Sequence, residues 1–334
     1  MIAVDAMGGD HAPFEIVAGA YEAAKLGVSV CLFGDEIQIY SILKKLDATW
    51  RSYPIFVEHS SEIIEMGEEP SRSVLRKKDS SLVRAAQAVA DKTCTAVISA
   101  GNSGAALVVG TLILGRLNGI ERPAIGSFLP TENGEIFCID IGANADCKPQ
   151  YLKQFGMMGQ VYCNMVKGVE NPSVVLLSNG TECHKGSCLV KESFDVLKNS
   201  KLNFIGNVEP INLFTCGADV LVCDGFSGNI LLKTMQGTSN VFSSWLKKEY
   251  SSSLFRRLIG AMNYFVLQGL KAKTDYKKRG GALLFGVNHP LIIAHGRSTS
   301  LAIKNAILQV SEMVQKDFLK IFNDKLSCKI KEGF

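Results

Sequence analysis

Short apolar runs rich in β-branched residues and closed by turn formers recur from the start of the chain, at positions 2–4, 28–33, 55–57, 96–99, 124–128, 136–140, 174–177, 203–205 and 220–223. Each is too short for a buried helix and reads as a strand. Between many of them lie amphipathic stretches of 10–20 residues, such as 14–26, 82–91, 104–116 and 187–198, with apolar positions at helical spacing. Strand and helix in alternation predict an α/β fold, a mainly parallel sheet with helices on both faces in three α/β/α layers. No repeat, low-complexity tract or Pro/Gly-rich linker interrupts residues 1–334, which are expected to form a single architecture.

The pattern changes over 229–273, where two helical stretches follow one another across the polar turn Tyr250-Ser251-Ser252-Ser253 and predict a protruding helical hairpin. Its second arm carries Leu254, Phe255, Leu258, Ile259, Met262, Phe265, Val266 and Leu267, with Arg256 and Arg257 near one end. Apolar over much of its circumference, it calls for a partner subunit, a lipid surface or both. Burial within its own domain is the open alternative.

Composition narrows the class. The 334 residues are 47% hydrophobic, enough for a large core, and the longest apolar run, 105–114, falls well short of the ~20 residues that span a bilayer. Ten scattered cysteines and no recognisable export signal predict reduced thiols in a cytoplasmic protein. The net charge of +4 is unevenly spread: residues 247–279 hold nine basic and two acidic side chains, a local +7 on an otherwise slightly acidic body. Such a patch suits an anionic surface, whether nucleic acid, anionic lipid or an acidic protein.

Candidate chemistry lies in Gly- and Asn-rich turns that follow strands and precede helices. In Ser99-Ala100-Gly101-Asn102-Ser103-Gly104-Ala105 the glycines allow close backbone approach, and the helix behind offers N–H groups to an anion. Asp224-Gly225-Phe226-Ser227-Gly228-Asn229 enters the hairpin with Asn229 near the helix start, and Asn179-Gly180-Thr181-Glu182-Cys183-His184-Lys185-Gly186 adds a cation in Lys185. Parallel sheets bind ligands at the carboxyl ends of their strands, so these turns can converge on one crevice, though each alone can be a mere tight connection. In Asp5-Ala6-Met7-Gly8-Gly9-Asp10-His11-Ala12-Pro13, Asp10 caps a helix in the plain reading, and Asp5, Asp10 and His11 line the crevice in the functional one. Gly280 to Val287 and Ala294-His295-Gly296-Arg297-Ser298 flank a short strand, and His295 and Arg297 can bind an anion or fix a turn. No nucleotide-binding loop, dinucleotide fingerprint or nucleophile elbow is present. Cys183, His184 and Cys188 lack a second pair at zinc spacing, so neither metal nor cofactor is predicted.

Taken in order, these stretches, with Arg76-Lys77-Lys78-Asp79-Ser80-Ser81, Asp140-Ile141-Gly142-Ala143-Asn144 and Ile205-Gly206-Asn207-Val208-Glu209, resemble the bacterial phosphate acyltransferases that transfer acyl groups from acyl carrier protein to phosphate in phospholipid synthesis. The resemblance runs nearly end to end. It departs at Ser178-Asn179-Gly180, Cys183-His184 and Asn288-His289, while Lys185-Gly186 stays in place. It implies a fold similar to phosphotransacetylases and isopropylmalate dehydrogenases, a homodimer, peripheral membrane association and an acyl phosphate product. Its implied partners are acyl carrier protein, inorganic phosphate and the downstream glycerol-3-phosphate acyltransferase, with no nucleic acid.

That chemistry asks for positioning and oxyanion donors rather than an activated side-chain nucleophile. Lys185 and Asn229 are expected to stabilise charge and orient the reactants. Asp5, Gly8, Gly9, Asp10, His11, Asn102, Ser103, Gly104, Asn144, Asp224, Ser227 and His295 are expected to shape the substrate site. The carrier protein is expected on Lys271, Lys273, Lys277, Lys278 and Arg279, and lipid on Leu254, Phe255, Leu258 and Ile259. Two rivals stay open, an acyl-coenzyme A phosphotransacetylase and a non-catalytic lipid-surface scaffold.

Overall fold

The computed structural model describes residues 1–263, 268–269 and 280–331. Eleven strands form one sheet: β1 (Ile2–Asp5), β2 (Val30–Gly34), β3 (Ile55–His59), β4 (Ala96–Ser99), β5 (Ala124–Thr131), β6 (Gly134–Ile139), β7 (Val174–Leu177), β8 (Phe204–Val208), β9 (Val220–Val222), β10 (Ala282–Phe285) and β11 (Leu291–Ile293). Their order is β3-β2-β1-β4-β11-β10-β5-β6-β9-β7-β8. The nine strands expected from apolar runs are β1 to β9. Ala282–Phe285, read as part of a glycine-rich turn, is instead a strand, its Ala-Leu-Leu-Phe run almost wholly buried between β11 and β5.

Alternation along the strands sends side chains into two cores. Ile2 and Val4 of β1 join the first and Ala3 the second, and on β6 Phe137 and Ile139 face one way while Ile136 and Cys138 face the other. The first core is closed by α1 (Phe14–Ala24), α2 (Glu36–Leu46), α6 (Pro149–Lys167), α7 (Cys188–Lys198), α10 (Ser300–Gln315) and α11 (Phe318–Lys331). The second packs under α4 (Ser81–Ala90), α5 (Ser103–Leu112) and α8 (Gly225–Ser251), with α3 (Pro70–Arg76) beside α5 and α9 (Leu254–Met262) beyond the end of α8. Both faces are covered, which gives the three layers.

The sheet reverses direction in its middle. β10 pairs antiparallel with both β11 and β5, and β5 pairs antiparallel with β6, whereas the other pairings are parallel. The half around β1 and β4 therefore points opposite to the half around β6 and β9. The registers Ser99↔Ile293, Ile293↔Ala282, Leu283↔Gly126 and Gly126↔Ile139 put the carboxyl ends of β4, β11 and β6 within one residue of the same height. Two half-sheets thus aim their strand-end loops at a common line across β5.

An aromatic cluster supports that seam from the first core. Phe137 lies 4.7 Å from Tyr162, 5.2 Å from Phe128 and 5.4 Å from Phe285, ring centre to ring centre. A Cβ on Gly126 would stand 2.3 Å from the Phe137 ring, so the residue at the crossing must be glycine.

Of the expected hairpin, the described residues hold α8 and, after the turn at Ser252, α9, while Phe265, Val266 and Leu267 lie outside them. α8 begins at Gly225, four residues before the predicted start, because Asp224 caps it through the Ser227 N–H at 2.8 Å and the Gly-Phe-Ser-Gly stretch is helical rather than a turn. Ser253 caps α9 by accepting from the Arg256 N–H, and the Arg256 guanidinium returns to the Glu249 carboxylate and, at 3.0 Å, the Ser252 hydroxyl. Leu254, Phe255, Leu258 and Met262 are exposed, with Ile259 half-buried. No helix among the described residues is long and apolar enough to cross a membrane.

Phe137→Ala should remove about 3–5 kcal/mol of stability, read as a lower urea midpoint. A change under about 1 kcal/mol would show that the aromatic cluster does not hold the seam together.

Candidate functional site

Each half-sheet ends in a buried carboxylate that organises its loops. Asp5, at the end of β1, accepts from the hydroxyls of Ser81 at 2.5 Å and Ser99 at 2.6 Å. Burial pushes its carboxyl above the usual aspartate range, and the serine hydroxyls pull it part of the way back. A Cβ on Gly8 would meet the Asp5 carboxylate at 2.4 Å and the Gly101 nitrogen at 2.8 Å, so the loops after β1 and β4 touch only because both carry glycine there. The β11 loop joins them where the Asp10 N–H donates to the Gly296 carbonyl at 2.7 Å.

Asp140, just beyond β6, is fully buried and receives N–H groups of Ile125, Gly142, Ala143 and Asn144 as well as the Asn144 side-chain amide, at 2.7–3.2 Å. Burial raises its carboxyl too, against those same donors. The first turn of α8 presses on this loop: a Cβ on Gly228 would lie 1.9 Å from the Asp140 carbonyl oxygen, and one on Gly225 would lie 2.7 Å from the Asn144 nitrogen. That approach sets the Asn229 side chain over Gly142, whose added Cβ would lie 3.6–3.8 Å from it.

Between these clusters lies a cavity of about 1960 Å³. One wall holds Asp10, Gly101, Ser103 and His295 to Ser298, and the other Ile141, Gly142 and Asn229. Its floor is the β5 face bearing Ile125, Ser127, Leu129 and Thr131, and α8 forms its roof from Asn229 through Leu231, Met235 and Ser239 to Tyr250. Arg297 stands 3.7 Å from Asp10, and its backbone N–H donates to Nδ1 of His295 at 3.1 Å. Ser103 opens α5, whose positive end adjoins this wall. Among the described residues no group of three His, Cys, Asp or Glu side chains comes together to hold a metal ion.

A third segment closes the β4 side. The Asn102 amide donates to the carbonyls of Glu65, Met66 and Glu68 at 3.0–3.2 Å, while its oxygen caps α5 through the Ala105 N–H. Glu68 is held by the Lys77 ammonium and the Ser73 hydroxyl, which bring its carboxyl down to about 2.

Sequence and fold comparisons agree with this architecture. Residues 1–321 match the family described as fatty acid synthesis protein. The chain is 46% identical over 321 residues to the phosphate acyltransferase of Geobacillus thermodenitrificans, covering 95% of this chain and 96% of that one. It is 45% identical over 336 residues to that of Listeria monocytogenes, covering 99% and 98%.

The chain belongs to the phosphate acyltransferase family.

Among solved structures, a phosphotransacetylase from Streptococcus pyogenes superposes with a TM-score of 0.57 at 16% identity over 94% of both chains. A branched-chain phosphotransacylase from Enterococcus faecalis gives 0.53 at 11% identity over 97% and 98%. At such identities the likeness is one of fold, and the phosphotransacetylase-like α/β expectation for this phosphate acyltransferase homologue is met.

Of the expected site residues, Asp10, Ser103, Asn229 and His295 line the cavity. Asp5, Gly8, Gly9, Asn102, Gly104, Asn144, Asp224 and Ser227 are instead built into the strand ends, loops and first helical turns around it. Gly9 has φ +114° against the Ala100 and Gly296 carbonyls, Gly104 makes room for Pro70, Asn144 donates to the Pro123 carbonyl, and the Ser227 hydroxyl closes back on Asp224. Asp10 is no helix cap, since α1 follows Pro13 without a side-chain cap bond. His11 is exposed beside the site. Lys185 is exposed on the β7 loop with its stem against Gly180, and is absent from the cavity lining. Lys271, Lys273, Lys277, Lys278 and Arg279 lie outside the described residues. Ser81, Ser99 and Asp140 were not foreseen as organising groups, and their only signal was membership of the stretches that carry the family resemblance.

Because Glu68 titrates lower folded than unfolded, its contribution to stability is complete above its ordinary value of 4.5 and is lost as pH falls toward 2. Melting temperatures of wild type and Lys77→Met should differ most above pH 5 and converge near pH 2. A constant difference across that range would remove the ion pair as its source.

Proposed function

We propose that this protein transfers a fatty acyl group from the thioester of acyl carrier protein to inorganic phosphate, yielding an acyl phosphate for glycerophospholipid synthesis. The observation that carries this reading is the single cleft in which strand-end loops of both half-sheets face one another and from which an apolar passage runs beneath α8. Family membership supports the phosphate acceptor, because the curated relatives bear the name phosphate acyltransferase.

A phosphate oxygen attacks the thioester carbonyl, the carbon–sulfur bond breaks, and the proton of the phosphate ends on the leaving thiol, whose ordinary pKa of about 8.5 makes it a fair leaving group. The nucleophile is already anionic near neutrality, so the protein has to supply alignment and donors for the developing oxyanion. In this reading Ser103, at the start of α5, and His295 hold the phosphate. Asn229 over Gly142 donates to the carbonyl oxygen. Lys185, one strand away from the α8 entry because β7 pairs with β9, adds positive charge once a substrate draws it in. Asp5, Asp140, Asn102, Asn144, Asp224 and Ser227 keep the loops in place.

The surroundings fit the same reading. Leu254, Phe255, Leu258 and Ile259, with Arg256 and Arg257 on the same short helix, make an apolar and basic tip suited to anionic lipid. The basic run Lys271, Lys273, Lys277, Lys278 and Arg279 follows it in sequence and suits an acidic carrier protein. A homodimer would cover the exposed side of α8, where Phe226, Ile230 and Trp245 project. The downstream glycerol-3-phosphate acyltransferase would receive the product.

Purified protein with acylated carrier protein and phosphate should form hydroxamate-trappable acyl phosphate. Asn229→Ala and Gly228→Ala, the latter by displacing Asn229, should each lose about a hundredfold in rate, and Lys185→Ala at least tenfold. Near-wild-type rates for Asn229→Ala would remove it from the mechanism, and the same result for Lys185→Ala would leave that lysine a solvated charge. Strong competition by acyl-coenzyme A would favour the small-thioester phosphotransacetylase instead.

Leu258→Asp should release the protein from anionic vesicles in a flotation assay without changing its melting temperature. Undiminished flotation would place the lipid contact elsewhere.

A further inference from the structure

Beyond the reacting loops, the cavity continues for much of the length of α8 over one face of β5. Its lining follows β5 from Ile125 and Ser127 through Leu129 to Thr131. Its roof side chains Leu231, Met235, Ser239 and Phe242 follow one another at helical three- and four-residue steps. From Leu231 to Ser239 these roof residues are half-buried, whereas from Val241 to Glu249 α8 is exposed. The cavity is thus a crevice that starts at Asn229, opens to solvent from about Phe242 and continues along the exposed end of α8 to Tyr250. Thirteen residues of helix separate Asn229 from Phe242, about 20 Å.

We propose that this crevice is the channel for the acyl chain and that the rungs of α8 measure it. The inference rests on the transfer reaction proposed above, whose reactive carbonyl it places beside Asn229 and Gly142. Bonds of about 1.5 Å make an extended chain of roughly sixteen carbons about 20 Å long, the distance from Asn229 to Phe242. Mostly apolar walls make the crevice costly to fill with water and favourable to fill with methylene groups. A rod-shaped ligand with one polar end matches its shape, since the strand-end loops lie at one mouth and Leu129, Leu231, Leu232, Met235 and Phe242 give the rest a predominantly apolar surface.

A ruler gives a positional test that general damage to the fold would not mimic. Met235 and Ser239 are four residues apart, a rise of about 6 Å, or about five methylenes of an extended chain. Met235→Trp and Ser239→Trp should both block the channel at their own rung. With acyl thioesters from six to eighteen carbons, each variant should lose long donors, and the cut-off of Met235→Trp should fall four to five carbons below that of Ser239→Trp. Binding of cis-parinaric acid, a fluorescent eighteen-carbon fatty acid, should weaken at least tenfold in both. An unchanged ratio of long-chain to short-chain rates, or one cut-off shared by both variants, would overturn the channel. So would a shifted monomer–dimer balance with the ratio unchanged, which would make the crevice a seat for a second copy of the chain. If the wild type shows no phosphate-dependent loss of any thioester, the transfer reaction itself falls. The parinaric acid signal then decides the channel alone, and undiminished binding by both variants rejects it.

Discussion

Everything at the site depends on the reversal of strand direction at β5 and β10. In a wholly parallel sheet the strand-end loops share one edge, and a ligand sits at the switch point there. Here two parallel half-sheets run in opposite senses, and antiparallel pairing brings their carboxyl ends to the same height near Gly126. Loops from distant parts of the chain then face one another across a strand instead of lining one rim. The crossing tolerates no side chain on Gly126, because the Phe137 ring fills that space, so the core on one face sets the geometry of the cleft on the other.

Within that frame, each half uses the same device, a buried aspartate at a strand end that gathers donors. Asp5 collects two serine hydroxyls and Asp140 collects a ring of backbone amides. Such carboxylates bear a desolvation cost that lifts their proton affinity, and their hydrogen bonds offset part of it. What they provide is order. Irregular loops carrying no regular hydrogen bonds of their own are tied to the sheet, glycines at 8, 101 and 225 let neighbouring backbones come within contact of the carboxylates, and Gly228 lets α8 press on the Asp140 carbonyl. The side chains that meet the cavity, Asp10, Ser103, Asn229 and His295, are presented by this buried scaffold.

α8 links site and surface. Its first turn is locked against the Asp140 loop, its middle roofs the crevice over β5, and its far end carries the exposed hairpin tip. One element thus connects the strand-end loops to the exposed apolar tip at Leu254, Phe255 and Leu258. One face of α8 is half-buried as far as Ser239 and the helix is exposed from Val241 to Glu249, an arrangement that suits a substrate with a polar head and a long apolar tail.

The amino-acid sequence by itself determined the class and the parts: apolar runs marked β1 to β9, helical spacing marked the flanking helices and the hairpin, and shared motifs marked the family. Those signals are local, arising from periodicity and turn chemistry within a few residues. Ala282–Phe285 escaped because a short run beside two glycines has no period of its own, and its strand character comes from β5 and β11 on either side. The tertiary structure alone decided which Asn and Asp residues face the cleft. Asn102, Asn144 and Asn229 look alike in glycine-rich turns, yet the first two spend their amides on neighbouring carbonyls and on Asp140, while the third lines the cavity. Lys185 and Asn229 likewise looked equivalent, but one stands exposed on its loop and the other lies against Gly142. The partners that settle such roles come from strands far away in sequence, and a residue's own neighbours carry no record of them.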